Sequence, residues 1–291
     1  MIKIMQRLVS SSLCFLQMKN SVLSIVAFLA CSEVIGQSFD VNKEATDLNY
    51  CEQKSNVIEK LKDIKAGKFG EFTPGIMAKI SSSRKIIALT FDACGGPTGS
   101  GFDSALIEFL KEEKIKATLF VSGLWIGKND SLFRKLCAEP LFEIENHGLS
   151  HRPCSISGKS KYGIAGTENV DDMYDEVELN ARQIEFYNRK KPRFYRPAAA
   201  VADEGCVSVA KELKEKIVTY DVLSGDAVPG TAAAEIKKNI LKKIGPGSIV
   251  IMHMNHPERN GFEALVEVVP ELKKQGYEFV KLENHPLSGK K

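Results

Sequence analysis

Beyond about residue 85 the chain alternates two hydrophobic patterns with few interruptions. Short runs rich in β-branched and aromatic residues, most ending in polar ones, occupy 86–91 (IIALTF), 116–122 (KATLFVS), 141–146 (LFEIEN), 193–197 (RFYRP), 217–222 (IVTYDV), 248–254 (SIVIMHM) and 278–282 (EFVKL). Between them lie amphipathic stretches of helical period at about Phe102–Lys114, Ser131–Cys137, Asp171–Asn188, Asp203–Lys214, Ala232–Lys243 and Gly261–Gln275. Seven strands alternating with helices predict parallel βα units. The expected fold class is α/β, a distorted (β/α)7-type barrel over 83–284, because this count suits a barrel better than an open doubly wound sheet. Residues 37–82 are polar and helix-like, with a turn at Pro74-Gly75, and read as an N-terminal extension to that single domain; 285–291 form a C-terminal tail.

The first 36 residues read as an address. The apolar run Ser21–Ala30 follows Lys19, precedes small residues ending at Gly36, and is too short to span a bilayer comfortably, so a signal peptide over 1–36 is expected. Met18 opens a compact signal-like sequence by itself and is a second candidate start. An uncleaved anchor and a lipoprotein at Cys31 are the alternatives. The expected location is periplasmic or secreted, with a membrane contacted only through this segment.

Composition changes the picture little: 43% hydrophobic and 26% charged residues describe an ordinary globular chain and exclude disorder, collagen and coiled coil as descriptions of the whole. The formal net charge of +3 matters more, because residues 1–36 hold Lys3, Arg7 and Lys19 against Glu33. Taking these from the totals of 40 basic and 37 acidic side chains leaves a net of +1. Such a balanced surface does not steer toward a polyanion, so no nucleic-acid partner is expected. Beyond the export segment five cysteines remain, Cys51, Cys94, Cys137, Cys154 and Cys206, an odd number that leaves at least one unpaired. None of their spacings suits a zinc knuckle.

The chemistry-bearing residues fall at the C-terminal ends of strands, where a barrel places its active site. Asp92 ends the first strand, His147 and His151 follow the third, Arg196 ends the fourth, Asp221 and Asp226 follow the fifth, and His253 ends the sixth. Four of the five histidines lie in two tight groups, His147/His151 and His253/His256. Imidazoles four residues apart can hold one divalent ion and leave it Lewis acidic. A strand-end carboxylate followed by Gly95 and Gly96 suits a general base, since small residues let a substrate approach. His256 reads as a loop residue held by hydrogen bonds, and Trp125 as a partly buried structural aromatic.

The order T-F-D at 90–92, N-H-x-x-S-H at 146–151, F-Y-R-P at 194–197, D-x-x-x-x-D at 221–226 and I-M-H at 251–253 resembles the polysaccharide deacetylases of carbohydrate esterase family 4. The resemblance covers about Lys85 to Leu282 and is strongest to a branch with TFDACGG as first motif and a Tyr-Gly-Ile-x-Gly-Thr loop, here 162–167. It implies that Asp92 is the base acting on a metal-bound water, and that Arg196 orients the base. It also implies that His147 and His151 are metal ligands, that His253 is the general acid and that Asp226 tunes it. Ile251 takes the place of the apolar residue lining the acetyl pocket. Gly95, Gly96 and Tyr162 are the further expected substrate contacts. The implied cofactor is a divalent metal, Zn2+ first, then Co2+, Ni2+ or Mn2+. The implied partner is a glycan bearing N-acetylated amino sugars.

Three departures stand out. The family usually has a second Asp after the base as a metal ligand, and here that position is Ala93. Three replacements are open: Asp103, whose residue type and place also suit a helix N-cap; Cys94 as thiolate; or Asp92 itself. Cys94 and Cys154 should lie on one rim and are expected to be close enough for a disulfide or to share the site. Ala198-Ala199-Ala200 replaces the usual Pro-Tyr-Gly, and Ala227 the usual Trp, both removing bulk from the groove. The expected function is an exported metal-dependent deacetylase acting on peptidoglycan or an N-acetylglucosamine polymer. The alternatives are an inactive glycan-binding relative, or a deacylase of O-acetyl or formyl groups.

Overall fold

A computed structural model describes residues 38–290, so the expected signal peptide lies outside the described residues. In chain order the elements begin with helices α1 (Val41–Ala45) and α2 (Leu48–Lys60) and strands β1 (Phe69–Gly70), β2 (Lys79–Ile80) and β3 (Ile86–Ala93). There follow α3 (Ser104–Glu112), β4 (Ala117–Val121), α4 (Gly123–Lys128), α5 (Asp130–Cys137), β5 (Phe142–Asn146) and α6 (Val170–Asn188). Next come β6 (Phe194–Tyr195), a 3₁₀ turn at Ala198–Ala200, β7 (Ala202–Asp203), α7 (Glu204–Glu212), β8 (Lys216–Ile217), β9 (Val222–Leu223) and α8 (Ala233–Lys243). The series ends with β10 (Ser248–His253), α9 (Gly261–Lys274), β11 (Glu278–Phe279), a 3₁₀ turn at Leu282–Asn284 and β12 (Leu287–Ser288).

Every residue of β3 is buried, as expected of a central parallel strand covered on both faces. It pairs in parallel with β4 on one side and β10 on the other, and the parallel ladder continues through β5 and β6 to β8. The result is the expected α/β barrel architecture, a curled sheet with helices outside and a second apolar cluster inside. Ala88, Phe120, Phe194, Val218, Ile249 and Ile251 fill the interior; Leu106, Trp125, Phe133, Ile240 and Leu265 fill the space under the outer helices. Segments from both ends of the domain complete the sheet, since β2 and β12 pair antiparallel with each other and β2 with the start of β10.

Two expected strands differ in detail. The fifth is two pieces: β8 bonds β6, and β9 bonds β10. Between them the backbone turns to Met77, whose N–H donates to Ile217 O and whose O accepts from Thr219 N, each at 2.8 Å. The seventh ends early because Leu282 leaves the ladder and inserts its buried side chain into the interior cluster, with its N–H donating to Glu143 Oε2 at 2.7 Å. The short helix α4, not foreseen from periodicity, starts where the Ser122 hydroxyl accepts from Trp125 N.

The extension packs against α6. Tyr50 donates to Asp175 Oδ1 at 2.5 Å, Lys54 pairs with Asp171 and Asp175 at 3.0 and 2.8 Å, and Arg182 pairs with Glu44 at 2.6 Å. Among the described residues no helix is long and apolar enough to cross a membrane.

Candidate active site

Asp92 and His253 are register partners on adjacent parallel strands, so their side chains rise together at the C-terminal end of the sheet. Arg196, one residue past β6, reaches across beneath them and is wholly buried. Its guanidinium donates to Asp92 Oδ1 at 2.8 Å, Thr90 Oγ1 at 2.9 Å, Thr219 O at 2.8 Å and Val218 O at 3.2 Å, and lies over the Phe120 ring at 4.0 Å. A buried cation is tolerated only when paired and hydrogen-bonded in this way. Burial alone would raise the Asp92 pKa, but Arg196, His147 and His253 outweigh it and hold the carboxyl below its usual range. A base kept ionised beside an anchored cation is the outcome.

His253 has the opposite arrangement. Its Nδ1 faces Asp226 Oδ1 at 3.1 Å, its backbone N–H donates to Asp226 Oδ2 at 2.7 Å, and the Ser224 hydroxyl donates to Asp226 Oδ1 at 2.8 Å. Burial disfavours an imidazolium, yet the Asp226 charge and hydrogen bond hold the His253 pKa well above its usual value. The surroundings thus favour the ionised form of one carboxyl and the protonated form of one imidazole, a pairing that acid–base chemistry can use.

His147 and His151 stand on the loop after β5, rings 4.7 Å apart. The loop is held from below by groups that periodicity gave no reason to single out. Asn146 Oδ1 accepts from Gly148 N, and buried Glu176 on α6 accepts from Ser150 N at 3.0 Å and Arg152 N at 3.1 Å. Burial pushes the Glu176 carboxyl up to about 7 despite those donors. Gly148 has φ +80, and a Cβ there would lie 2.3 Å from Glu176 Oε1, so the loop needs glycine at this point. His147 Nδ1 lies 2.6 Å from Arg196 O, so Nδ1–H donates there and Nε2 is the nitrogen turned toward Cys94 and Asp92. That nitrogen is 3.8 Å from Cys94 Sγ and 3.8 Å from Asp92 Oδ2. Among the described residues, Cys94, His147 and His151 form a group whose ligand atoms all lie within 4.8 Å of one another. Burial would raise the Cys94 thiol pKa, but the His151 charge and hydrogen bonds with His147, His151 and His253 bring it well below its usual range. A soft anion and two imidazoles suit a divalent transition metal.

Two expectations are corrected. Asp103 does not join that group: it caps α3, its Oδ1 accepting from Leu106 N at 3.0 Å. Cys94 and Cys154 are not paired; both thiols are free, and Cys154 turns away into the cluster with Tyr195 and Cys206. Asp221 serves the fold, accepting from Ile249 N and the Ser248 hydroxyl at the start of β10.

The expected substrate contacts fall in different places. Ile251 lies two residues before His253 on β10, 6% exposed and packed in the interior cluster. Gly95 has φ +78 and sits so close to α4 that a Cβ would lie 2.6 Å from Trp125 N, so its smallness serves packing. Gly96, φ +80, faces open space. Tyr162 stands exposed at the tip of a hairpin bridged by Lys161 and Ile164. Trp125 is buried, its indole N–H donating to Gly101 O at 2.8 Å. His256 pairs with Glu258 at 2.8 Å.

Comparison with known proteins bears on family and fold. Residues 79–218 match the family model for Polysaccharide deacetylase. Over these residues the chain matches the polysaccharide deacetylase family. It is a family of hydrolases, and its members include a peptidoglycan-N-acetylglucosamine deacetylase of Bacillus cereus that is 29% identical over 206 residues, 69% of this chain and 88% of the relative. A crystal structure of a peptidoglycan N-acetylglucosamine deacetylase bound to a naphthyl-substituted N-hydroxybenzamide is 25% identical, with a TM-score of 0.62 over 72% of this chain and 92% of that one. The same fold is seen in a pseudoenzyme of the family from Bacillus anthracis, 22% identical, with a TM-score of 0.61 over 80% of each chain.

Proposed function

We propose that this polysaccharide deacetylase is exported and hydrolyses the N-acetyl group of an amino-sugar glycan, peptidoglycan or an N-acetylglucosamine polymer, with a divalent metal as cofactor. The observation that carries the reading is the placing of an ionised base, Asp92 on Arg196, and a protonated acid, His253 on Asp226, around one cluster of metal-ligating side chains. His147 and His151 would hold the cation, which when bound polarises an acyl oxygen and acidifies water. Asp92 then accepts the proton that water gives up as it attacks the acetyl carbonyl, while Arg196 keeps the carboxylate in position. His253 delivers its proton to the amine as the C–N bond breaks, and Asp226 holds the ring and its charge while it does so. Ile251 offers the apolar wall an acetyl methyl needs. The nearly neutral body suits a neutral glycan, and the apolar run at 21–30 supports export to where such polymers lie. The names of the relatives support peptidoglycan in particular.

Ala93 and the fold shared with a pseudoenzyme favour a second reading, an inactive glycan binder. A pure binder has no use for an acid and a base poised on adjacent strands. Acetate release from peptidoglycan and from chitooligosaccharides by the zinc-loaded protein decides between them. Release is expected with at least one substrate and should fall roughly 10²–10⁴-fold in Asp92→Asn, the usual share of a general base. Absence of acetate from both substrates would leave the binder.

A further inference from the structure

Cys94 is the group at this site that acid–base chemistry leaves without a task, and the strand explains its placing. Side chains alternate along β3. Asp92 turns toward the site and Ala93 turns into the apolar cluster beneath the outer helices, so Cys94 turns back toward the imidazoles. A tetrahedral zinc with sulfur at about 2.3 Å and nitrogen at about 2.0–2.1 Å separates those donors by about 3.6 Å. The observed distance from Sγ to His147 Nε2 is 3.8 Å. His147 already presents Nε2 because Arg196 O holds its other nitrogen. Asp103 is engaged on the α3 cap; Asp92 spends Oδ1 on Arg196 and, although its Oδ2 is 3.8 Å from His147 Nε2, it lies outside the close group that Cys94 forms with both imidazoles.

We propose that the thiolate of Cys94 is the third protein ligand of the metal centre, giving a Cys-His-His donor set that selects Zn2+ or Co2+ over Mn2+. The proposal rests on reading the site as metal-dependent. Binding forms the metal–sulfur bond and releases the thiol proton to solvent, so no redox partner is needed. A soft sulfur donor favours zinc and cobalt, whereas an all-oxygen or oxygen-rich set accommodates manganese.

The test is to load the purified full chain with Co2+ alone and record its near-ultraviolet spectrum. Wild type should bind cobalt and show thiolate-to-cobalt charge-transfer absorption. Cys94→Ala and Cys94→Ser should lose the band, and their zinc affinity should fall by more than the roughly 10–100-fold typical for loss of an outer-shell partner. Cys94→Asp should regain metal without the band and shift preference toward Mn2+. Cobalt bound to wild type without the band, or a band that persists in Cys94→Ala, overturns the proposal while acetate release keeps the deacetylase reading. An acetyl group trapped on Cys94 in acid-quenched turnover also overturns it, because the thiol is then a nucleophile. Failure of wild type to bind either Co2+ or Zn2+ removes both.

Discussion

His253 keeps a proton through neutrality because Asp226 stands behind its ring, and this makes a specific expectation for Asp226→Asn. Removing the negative charge lowers the His253 pKa, so the acid loses its proton at a lower pH. The high-pH limb of a kcat/KM profile should move to lower pH in the variant, while the low-pH limb set by Asp92 stays in place. An unmoved high-pH limb would show that another group supplies the proton. That Asp92, His147, His151, Arg196, Asp226 and His253 would gather at one end of the sheet was legible in the sequence, because strand-end position places such groups on one rim. Asp103 was misread because one residue type serves both as ligand and as N-cap, and the unpaired amides of α3 claimed it. The Cys94–Cys154 expectation failed for a different reason: membership of one rim does not fix where a side chain points. Glu176 gave no signal, since it matters only through partners distant in sequence, and Thr90 stood in a motif without its contact to Arg196 being foreseeable.

Among the elements, the tight turn after Arg196 carries the plainest strain. Ala199 and Ala200 have φ of +55° and +51°, the left-handed region in which an L side chain costs about 1–2 kcal/mol. Ala199 is half-buried and free of the interior cluster, whereas the Ala200 methyl is packed within it. Ala199→Gly should therefore stabilise the fold by about 0.5–1 kcal/mol, after the entropy a glycine adds to the unfolded chain. Ala200→Gly should gain less, because a buried methyl contributes about 0.8 kcal/mol that the variant gives up. Urea denaturation of both variants checks the ordering. Periodicity located the long elements but not the divided fifth strand, where Met77 from outside the barrel takes over the hydrogen bonds between β8 and β9. Nor could it show that Glu143 and Glu145 of β5 are buried: an alternating Phe-Glu-Ile-Glu run suggests one wet face, yet Glu145 is satisfied by Arg193 N and Phe194 N.

For the whole molecule, α6 is the member that links the N-terminal helices to the loop after β5. Asp175 is gripped by Tyr50 and Lys54 of the extension, and its neighbour Glu176 grips the loop that carries His147 and His151. Losing the Tyr50 hydroxyl and the Lys54 ammonium together should cost roughly 1–3 kcal/mol, the scale of a hydrogen bond to a charged group. The double variant Tyr50→Phe, Lys54→Ala should also speed hydrogen exchange at the Ser150 and Arg152 amides, though neither substituted residue touches them. Unchanged exchange there would show that α6 does not transmit the grip. The practical consequence concerns anyone trimming this protein for expression. The two N-terminal helices look dispensable beside a complete barrel, yet cutting them away removes the brace behind the imidazole loop, so a shortened chain would fold around a looser catalytic centre.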